Sequence, residues 1–439
     1  MESSLATTVN PLAMSFMLLM GILIITLPRK FVLIPFLICT LYMTLGQRVI
    51  VMGLNFTILR ILLAVGWIRV IIHRDITPSN LNVLDKVIIW WGIIALITGF
   101  LLDIGTAELE NLQHRSGQVY TVLGLYFLFK FYINDTSDIR RIIKILSILI
   151  IPLALIFLIE KASGKNLFFI FGGVPESTFI REGRLRCQGP FAHPILAGTL
   201  GATLMPLFVM LWFEKGKQKI LSLMGIASAT VIMITSASSG PLLAYLSALV
   251  ALCAWPLRNR MRIIRWGILL SLIALHIIMK APVWYLIARI SNITGGTGWG
   301  RSELIDIAIL HFNEWWMIGT TKTAHWDPVG VLPNIDMMDI TNHYILEGVY
   351  GGLGRMIIFI MIIVFGFRGI GNIMNSLKNE TISVQFLPWA MGASLFAHAT
   401  SFISVAYFDQ LIVVLYLLFA MISRISTIPT PDQVDSPTT

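Results

Sequence analysis

The run Ile142-Ile-Lys-Ile-Leu-Ser-Ile-Leu-Ile-Ile-Pro-Leu-Ala-Leu-Ile-Phe-Leu-Ile159 decides the class of this chain. Its one charge, Lys144, stands near an end, and a helix of about 20 such residues crosses the hydrocarbon core of a bilayer. Outward from it, comparable apolar runs lie near 11–27, 31–45, 50–72, 86–103, 117–133, 194–213, 219–236, 240–257, 263–283, 353–368, 385–406 and 409–424. They predict twelve or thirteen spans, since the 31–45 run is short enough to tilt, re-enter or pair tightly with the first. Composition agrees: 56% of the 439 residues are apolar and 13% charged, against about 25% charged in a soluble domain. No alternating short strands of a barrel are visible, so the predicted fold is an all-α polytopic integral membrane protein. The first run has no basic segment before it and no small-residue cleavage site after it, and is read as a retained helix.

The net charge of +9 would suit nucleic acid, but most Lys and Arg sit in short links between apolar runs, where they set orientation. No nucleic-acid partner is expected. Arg29 and Lys30, Arg140, Arg141 and Lys144, Lys215, Lys217 and Lys219, Arg258 to Arg265, and Arg368 with Lys378 fall on alternate links, which marks that face as cytoplasmic. The other face receives loops near 104–116, 160–193, 237–240 and 284–352. The chain therefore divides into N-terminal helices (1–160), a basic outer loop (161–193), central helices (194–283), a large outer loop (284–352), C-terminal helices (353–426) and a solvated tail (427–439). Two spans separate the basic loop from the turn at Ser236–Gly240, and two more separate that turn from the large loop. By parity all three emerge on one face and are able to share a site.

The basic loop breaks the charge rule, with Arg181, Arg184 and Arg186 set among Glu160, Glu176 and Glu182. Arginine presents a planar fork of donors suited to phosphate or carboxylate; the bland alternative is a headgroup anchor. Cys187-Gln-Gly-Pro-Phe-Ala-His193-Pro194 follows as a rigid turn into a helix whose first amides favour negative charge, with His193 more a cap than a catalyst. Cys187 lies in a polar loop, where an impermeant thiol reagent should reach it. Cys39 and Cys253 lie in apolar runs, so neither a disulfide framework nor a zinc site is expected. In the large loop, Arg301 to Trp316 reads as an interfacial amphipathic helix, with Glu303, Asp306 and Asn313 on one face and Leu304, Ala308, Phe312, Trp315 and Trp316 toward the other. Gly295 to Gly300 before it reads as a flexible loop. His343 stands just before the chain re-enters the bilayer, at the outer surface, and a histidine of ordinary pKa exchanges protons under mild conditions. The spacing of His311 and His325 gives no metal-binding helix face, and no metal is expected. Arg60 and His398 lie within spans, where they are costly unless they face a cavity.

In order, Arg184-Leu-Arg186-Cys-Gln-Gly-Pro-Phe-Ala-His-Pro194, Thr235-Ser-Ala-Ser-Ser-Gly240, Gly300-Arg301 with Trp315-Trp316 and Gly319, and Asn342-His343-Tyr-Ile-Leu-Glu347 resemble the O-antigen ligase and O-antigen polymerase family of bacterial envelope glycosyltransferases, from about Pro28 to Leu353. The resemblance implies a helical protein similar to the C-type glycosyltransferase fold, in the bacterial inner membrane, working at the periplasmic face. It implies an inverting, metal-independent transfer of a glycan from undecaprenyl pyrophosphate to a growing glycan or to lipid A core, with no cofactor. Other polysaccharide-export proteins are further candidate partners. The pyrophosphate-binding arginine of the family maps onto Arg186 or, one register away, Arg184, and its loop histidine onto His343. Ser239 stands where the family often has an arginine, which leaves Arg60 or Arg301 to compensate; Arg181, His193 and Glu347 are supporting candidates. The glycine pair after the histidine comes earlier than usual, and Tyr344 replaces a common Asn or Ser. The competing classes are a transporter or flippase for an anionic lipid-linked solute, which calls for midplane charges and internal symmetry, and a non-catalytic envelope assembly protein.

Overall fold

The computed structural model describes residues 9–51, 54–73, 81–104, 109–214, 216, 218–294, 298–326 and 338–427. Lys215, Lys217, the start of the Gly295–Gly300 segment and nearly all of the predicted tail lie outside them. The described chain is almost wholly helical: α1 (Pro11–Thr26), α2 (Leu33–Tyr42), α3 (Ile58–His73), α4 (Val83–Asp103), α5 (Glu110–Tyr132), α6 (Thr136–Ser163), α7 (Pro194–Met210), α8 (Gln218–Thr235), α9 (Ser239–Cys253), α10 (Met261–Ile278), α11 (Leu286–Thr294), α12 (Gly298–Leu310), α13 (Phe312–Trp315), α14 (His343–Ser376), α15 (Ile382–Ser401) and α16 (Gln410–Ile425). Two antiparallel ribbons complete it, β1 (Arg48–Val51) with β2 (Leu54–Thr57) and β3 (Phe179–Arg181) with β4 (Arg184–Arg186). Among the described residues, six helical stretches are long and apolar enough to cross a membrane: Val83–Asp103, Thr136–Ser163, Pro194–Phe213, Gln218–Thr235, Trp255–Ile278 and His343–Ser376. The chain is a multi-pass helical membrane protein.

Local chemistry sets the boundaries. Asn82 accepts from the Asp85 N–H while Asp85 accepts from the Asn82 N–H, a reciprocal cap that starts α4. Gly164, at φ +70°, ends α6 in the left-handed conformation that glycine adopts without strain. The run predicted at 50–72 begins as helix only at Ile58, because 48–57 forms the first ribbon, and the short 31–45 run yields the ten residues of α2. Exposed apolar side chains cover α10, which has no buried residue; in a bilayer, lipid meets that surface.

Cross-links identify the two ends of the bundle. At one, Gln47 accepts from the Asn10 N–H and donates to the Phe171 and Gly172 carbonyls, so the start of α1 lies beside the 164–193 loop. At the other, Arg29 donates to the Phe131 carbonyl and to Asn134, and Arg140 pairs with Glu214.

The re-entering helix starts at His343, ten residues before the predicted span at 353, and bends at Gly351–Gly352. The large loop causes the bend. The Val349 carbonyl, which would accept from the Leu353 N–H in a straight helix, accepts from Thr320 at 2.8 Å, and the Leu353 N–H donates to the Trp316 carbonyl at 2.7 Å. A segment inserted into the i→i−4 ladder kinks a helix. The fit requires glycine on both sides, since a Cβ on Gly319 would strike the Val349 carbonyl and one on Gly352 the Met317 carbonyl.

Candidate functional site

The β3–β4 hairpin turns through Glu182 (φ +53°) and Gly183 (φ +71°), the two positive φ values that a tight two-residue hairpin needs. Its register pairs Phe179 with Arg186 and Arg181 with Arg184, which places these four side chains on one face of the ribbon. The Cys187 N–H donates to the Thr235 carbonyl at 3.0 Å and ties the hairpin to the α8–α9 turn. Arg186 folds inward there: its Nη2 donates to Ser238 Oγ at 2.6 Å, its Nε donates to the Ser236 carbonyl at 3.4 Å, and its guanidinium lies 5.6 Å from the Phe179 ring centre. Arg301, from α12, reaches the same turn and donates to Ser239 Oγ at 3.4 Å.

Two chain segments, the hairpin and α12, thus bring their cations to one turn of small polar residues. Burial, followed by the charge of Arg181, pushes the Arg186 pKa below its ordinary value, with Glu182 opposing. Burial, followed by the charges of Arg181 and Arg186, does the same to Arg301. Like charges held this close, partly out of water, create a potential that an anion relieves. Arg184 is exposed on the same hairpin face. His193 caps α7, its Nδ1 accepting from the Ile195 N–H at 3.1 Å. Burial, then Arg186 and Arg181, push its pKa down to about 4, so at neutral pH its imidazole is uncharged.

His343 is placed differently from the expectation of a surface residue: it is 5% exposed, boxed by the rings of Phe359, Phe402 and Tyr407. Its N–H donates to the Phe402 carbonyl at 2.7 Å, and its Nδ1 accepts from the Tyr407 N–H at 3.2 Å. The proton of the neutral ring therefore sits on Nε2, which faces Glu347 Oε1 at 3.9 Å. Glu347 in turn accepts from Trp91 Nε1 at 2.8 Å and Arg355 Nε at 2.7 Å.

The link between α15 and α16, Phe402 to Asp409, joins the two groups. Phe402 and Tyr407 hold His343, while Ser404 Oγ lies 2.8 Å from where a Cβ on Gly240, next to Ser239, would be. Its far end carries Asp409, whose carboxyl burial pushes up to about 6 against the pull of Arg48 and Arg60. Arg60 stays on that side, with Nε donating to Thr121 at 3.3 Å, and is not brought to the arginine turn. In the sequence this link is only a few residues between two apolar runs and carries no signal of its own. Ser238, Trp91 and Arg355 were missed as well; a short polar residue beside the noted Ser239 was the one available signal.

Two expectations are corrected here. Cys187 is fully buried (0% exposed), and burial, then Glu160, pushes its thiol up to about 12 against Lys161; an impermeant reagent is expected not to reach it, because Glu160 of α6 accepts from the Gln188 and Gly189 N–H groups and the Thr235 carbonyl from that of Cys187, which holds the turn down. The predicted amphipathic helix is interrupted at His311, which buries Trp315 and leaves Trp316 43% exposed. Its acidic face is not free either, since Asp306 accepts from Trp284 Nε1 at 2.8 Å and the Tyr285 hydroxyl at 2.6 Å. No family model matches the chain, and no curated protein matches it significantly.

Proposed function

We propose that the protein is a membrane glycosyltransferase that moves a glycan from undecaprenyl pyrophosphate to an acceptor hydroxyl, on a growing glycan or lipid A core, at the periplasmic face of the bacterial inner membrane. The observation that carries this reading is the convergence of Arg186 and Arg301, from two loops distant in sequence, on the Ser236–Ser239 turn, with the charge of Arg181 acting on both. A pyrophosphate leaving group gains charge as the anomeric bond breaks, and preplaced guanidinium groups in a partly dry site stabilise that charge without reorganising. Arg301 at Ser239 supplies the cation that the resembled family often carries on the turn itself. The acceptor oxygen attacks the anomeric carbon from the side opposite the pyrophosphate, which inverts its configuration; the anomeric C–O bond breaks with its electron pair going to the pyrophosphate, and the hydroxyl proton passes to the departing pyrophosphate or to water.

His343 is assigned to orienting the acceptor through its Nε2–H. A deprotonating role requires it to give up the Tyr407 N–H, because that bond occupies the only lone pair of the neutral ring. The transporter reading draws less support, since the arginines gather at one end of the bundle.

The test is transfer by purified protein in detergent, with a lipid-pyrophosphate glycan as donor and no metal or nucleotide sugar. Released undecaprenyl pyrophosphate with a lengthened acceptor supports the reading. Donor bound but left intact with every acceptor class defeats it. In a deletion strain, loss of long chains with one capped repeat remaining marks a polymerase, and long chains stranded on the carrier mark a ligase.

A further inference from the structure

Beyond the arginine turn, the large loop assembles a second polar group that neither the sequence spacing nor the proposed reaction uses. His311 Nδ1 lies 2.7 Å from Glu314 Oε1, and His325 Nε2 lies 3.0 Å from Glu314 Oε2. One ligand atom from each of the three residues falls within 4.8 Å of the others. On a tetrahedral zinc ion with bonds of about 2.0–2.2 Å, neighbouring ligand atoms are about 3.3 Å apart, so small side-chain rotations suffice to seat one.

The ligands are also oriented from behind. Trp326, 3% exposed, donates its indole N–H to Glu314 Oε2 at 2.9 Å and stacks on the His311 ring, with centroids 5.1 Å apart and planes 12° apart. Partners that fix the angle of an imidazole or carboxylate raise metal affinity. The open side faces solvent, with His325 52% and Glu314 38% exposed, which gives an ion its path in and leaves room for water as a fourth ligand.

We propose that His311, Glu314 and His325 form a binding site for a divalent transition-metal ion of the zinc class, which fastens the large loop. The helical pair at His311 and Glu314 and the later His325 bracket Trp316 to Thr320, the segment whose backbone enters the kink of α14. An ion bridging 311–314 to 325 closes that segment into a ring clasped on the helix that carries His343 and Glu347. Ten residues of mostly helical chain, about 15 Å, separate the site from Arg301, so the ion is structural and takes no part in glycosyl transfer. The proposal is independent of the glycosyl-transfer reading.

The experiment uses the full chain without a histidine tag, purified in detergent, stripped with chelator and titrated with zinc chloride by calorimetry, with elemental analysis after gel filtration. The expected result is one zinc per chain at low-micromolar Kd or tighter, and a higher Tm. Glu314→Gln, which keeps an acceptor for Trp326, and His325→Ala at its half-exposed position should each weaken binding at least 100-fold, while His276→Ala should not change it. A wild-type protein without saturable one-to-one binding overturns the proposal and leaves an imidazole–carboxylate hydrogen-bond pair. So does zinc affinity unchanged in both variants. If either variant aggregates, the other decides, since each removes a different ligand.

Discussion

The two ends of the bundle treat buried charge in opposite ways. At the end holding Arg29, Asp85 is closed in on every side: Lys130 pairs with it, Tyr126 and Ser423 donate to it, and the Asn82 N–H completes its shell. All of that charge is balanced by neighbours within the protein. At the end holding the hairpin, burial and then the charge of Arg181 lower the Arg186 pKa against Glu182, and burial and then the charges of Arg181 and Arg186 lower that of Arg301. A closed network contributes to the fold, and a set of like charges left open at a turn contributes to binding. The sign of the imbalance is the one that the proposed pyrophosphate ligand requires.

The largest effect is expected where the closed network is opened. Asp85→Ala strands Lys130 in the bundle, and breaking one partner of a buried pair costs about 3–5 kcal/mol; thermal melts should show a large loss, while transfer per folded molecule stays near wild type. Arg186→Ala should do the reverse, with abundance near normal and transfer down about 100- to 1,000-fold, the usual scale for one lost donor to developing charge. Arg186→Lys should recover little, because a point charge does not reproduce a two-pronged contact. If Arg186→Ala melts like Asp85→Ala while its folded fraction turns over normally, the distinction between the ends collapses.

His343→Asn sharpens the comparison from within. The Asn carbonyl can take the place of Nδ1 and accept from Tyr407, so the loop stays held while the Nε2–H is lost. Turnover should fall about 100-fold with donor affinity unchanged; wild-type turnover removes His343 from the mechanism, and lost donor binding moves it to the phosphate site. The smallest effect concerns His193. Its pKa of about 4 in the fold lies below the free value of 6.5, so the unfolded chain binds more protons between those values and stability rises with pH across that window. His193→Asn keeps a good cap and should flatten the Tm–pH slope there. An unchanged slope would show that the imidazole is not held neutral beside the arginines.

The membrane class was legible because it depends on runs of apolar residues, which a sequence displays directly. The meeting of the hairpin, the serine turn and Arg301 was legible for a related reason: span parity fixes the end at which each loop emerges. Positions set by packing between distant segments were not legible. His343 reads as a loop residue until α14 is seen to start there, and the glycine pair at 351–352 acquires a reason only when Thr320 and Trp316 occupy its hydrogen bonds. Cys187 reads as a polar-loop thiol for the same reason, since nothing in its neighbours announces that Glu160 on α6 holds its turn down. His311, Glu314 and His325 are too irregularly spaced to form a motif, and meet because the chain folds back at Gly319.

The most direct measurement is the binding of undecaprenyl pyrophosphate to purified wild type, Arg186→Ala, Arg301→Ala, Asp85→Ala and His343→Asn by titration calorimetry in one detergent at two salt concentrations. The account predicts at least a tenfold rise in Kd for each arginine variant, weaker binding by the wild type at higher salt, and wild-type affinity in the folded fraction of the other two. Arginine variants that bind the lipid as tightly as the wild type would contradict it.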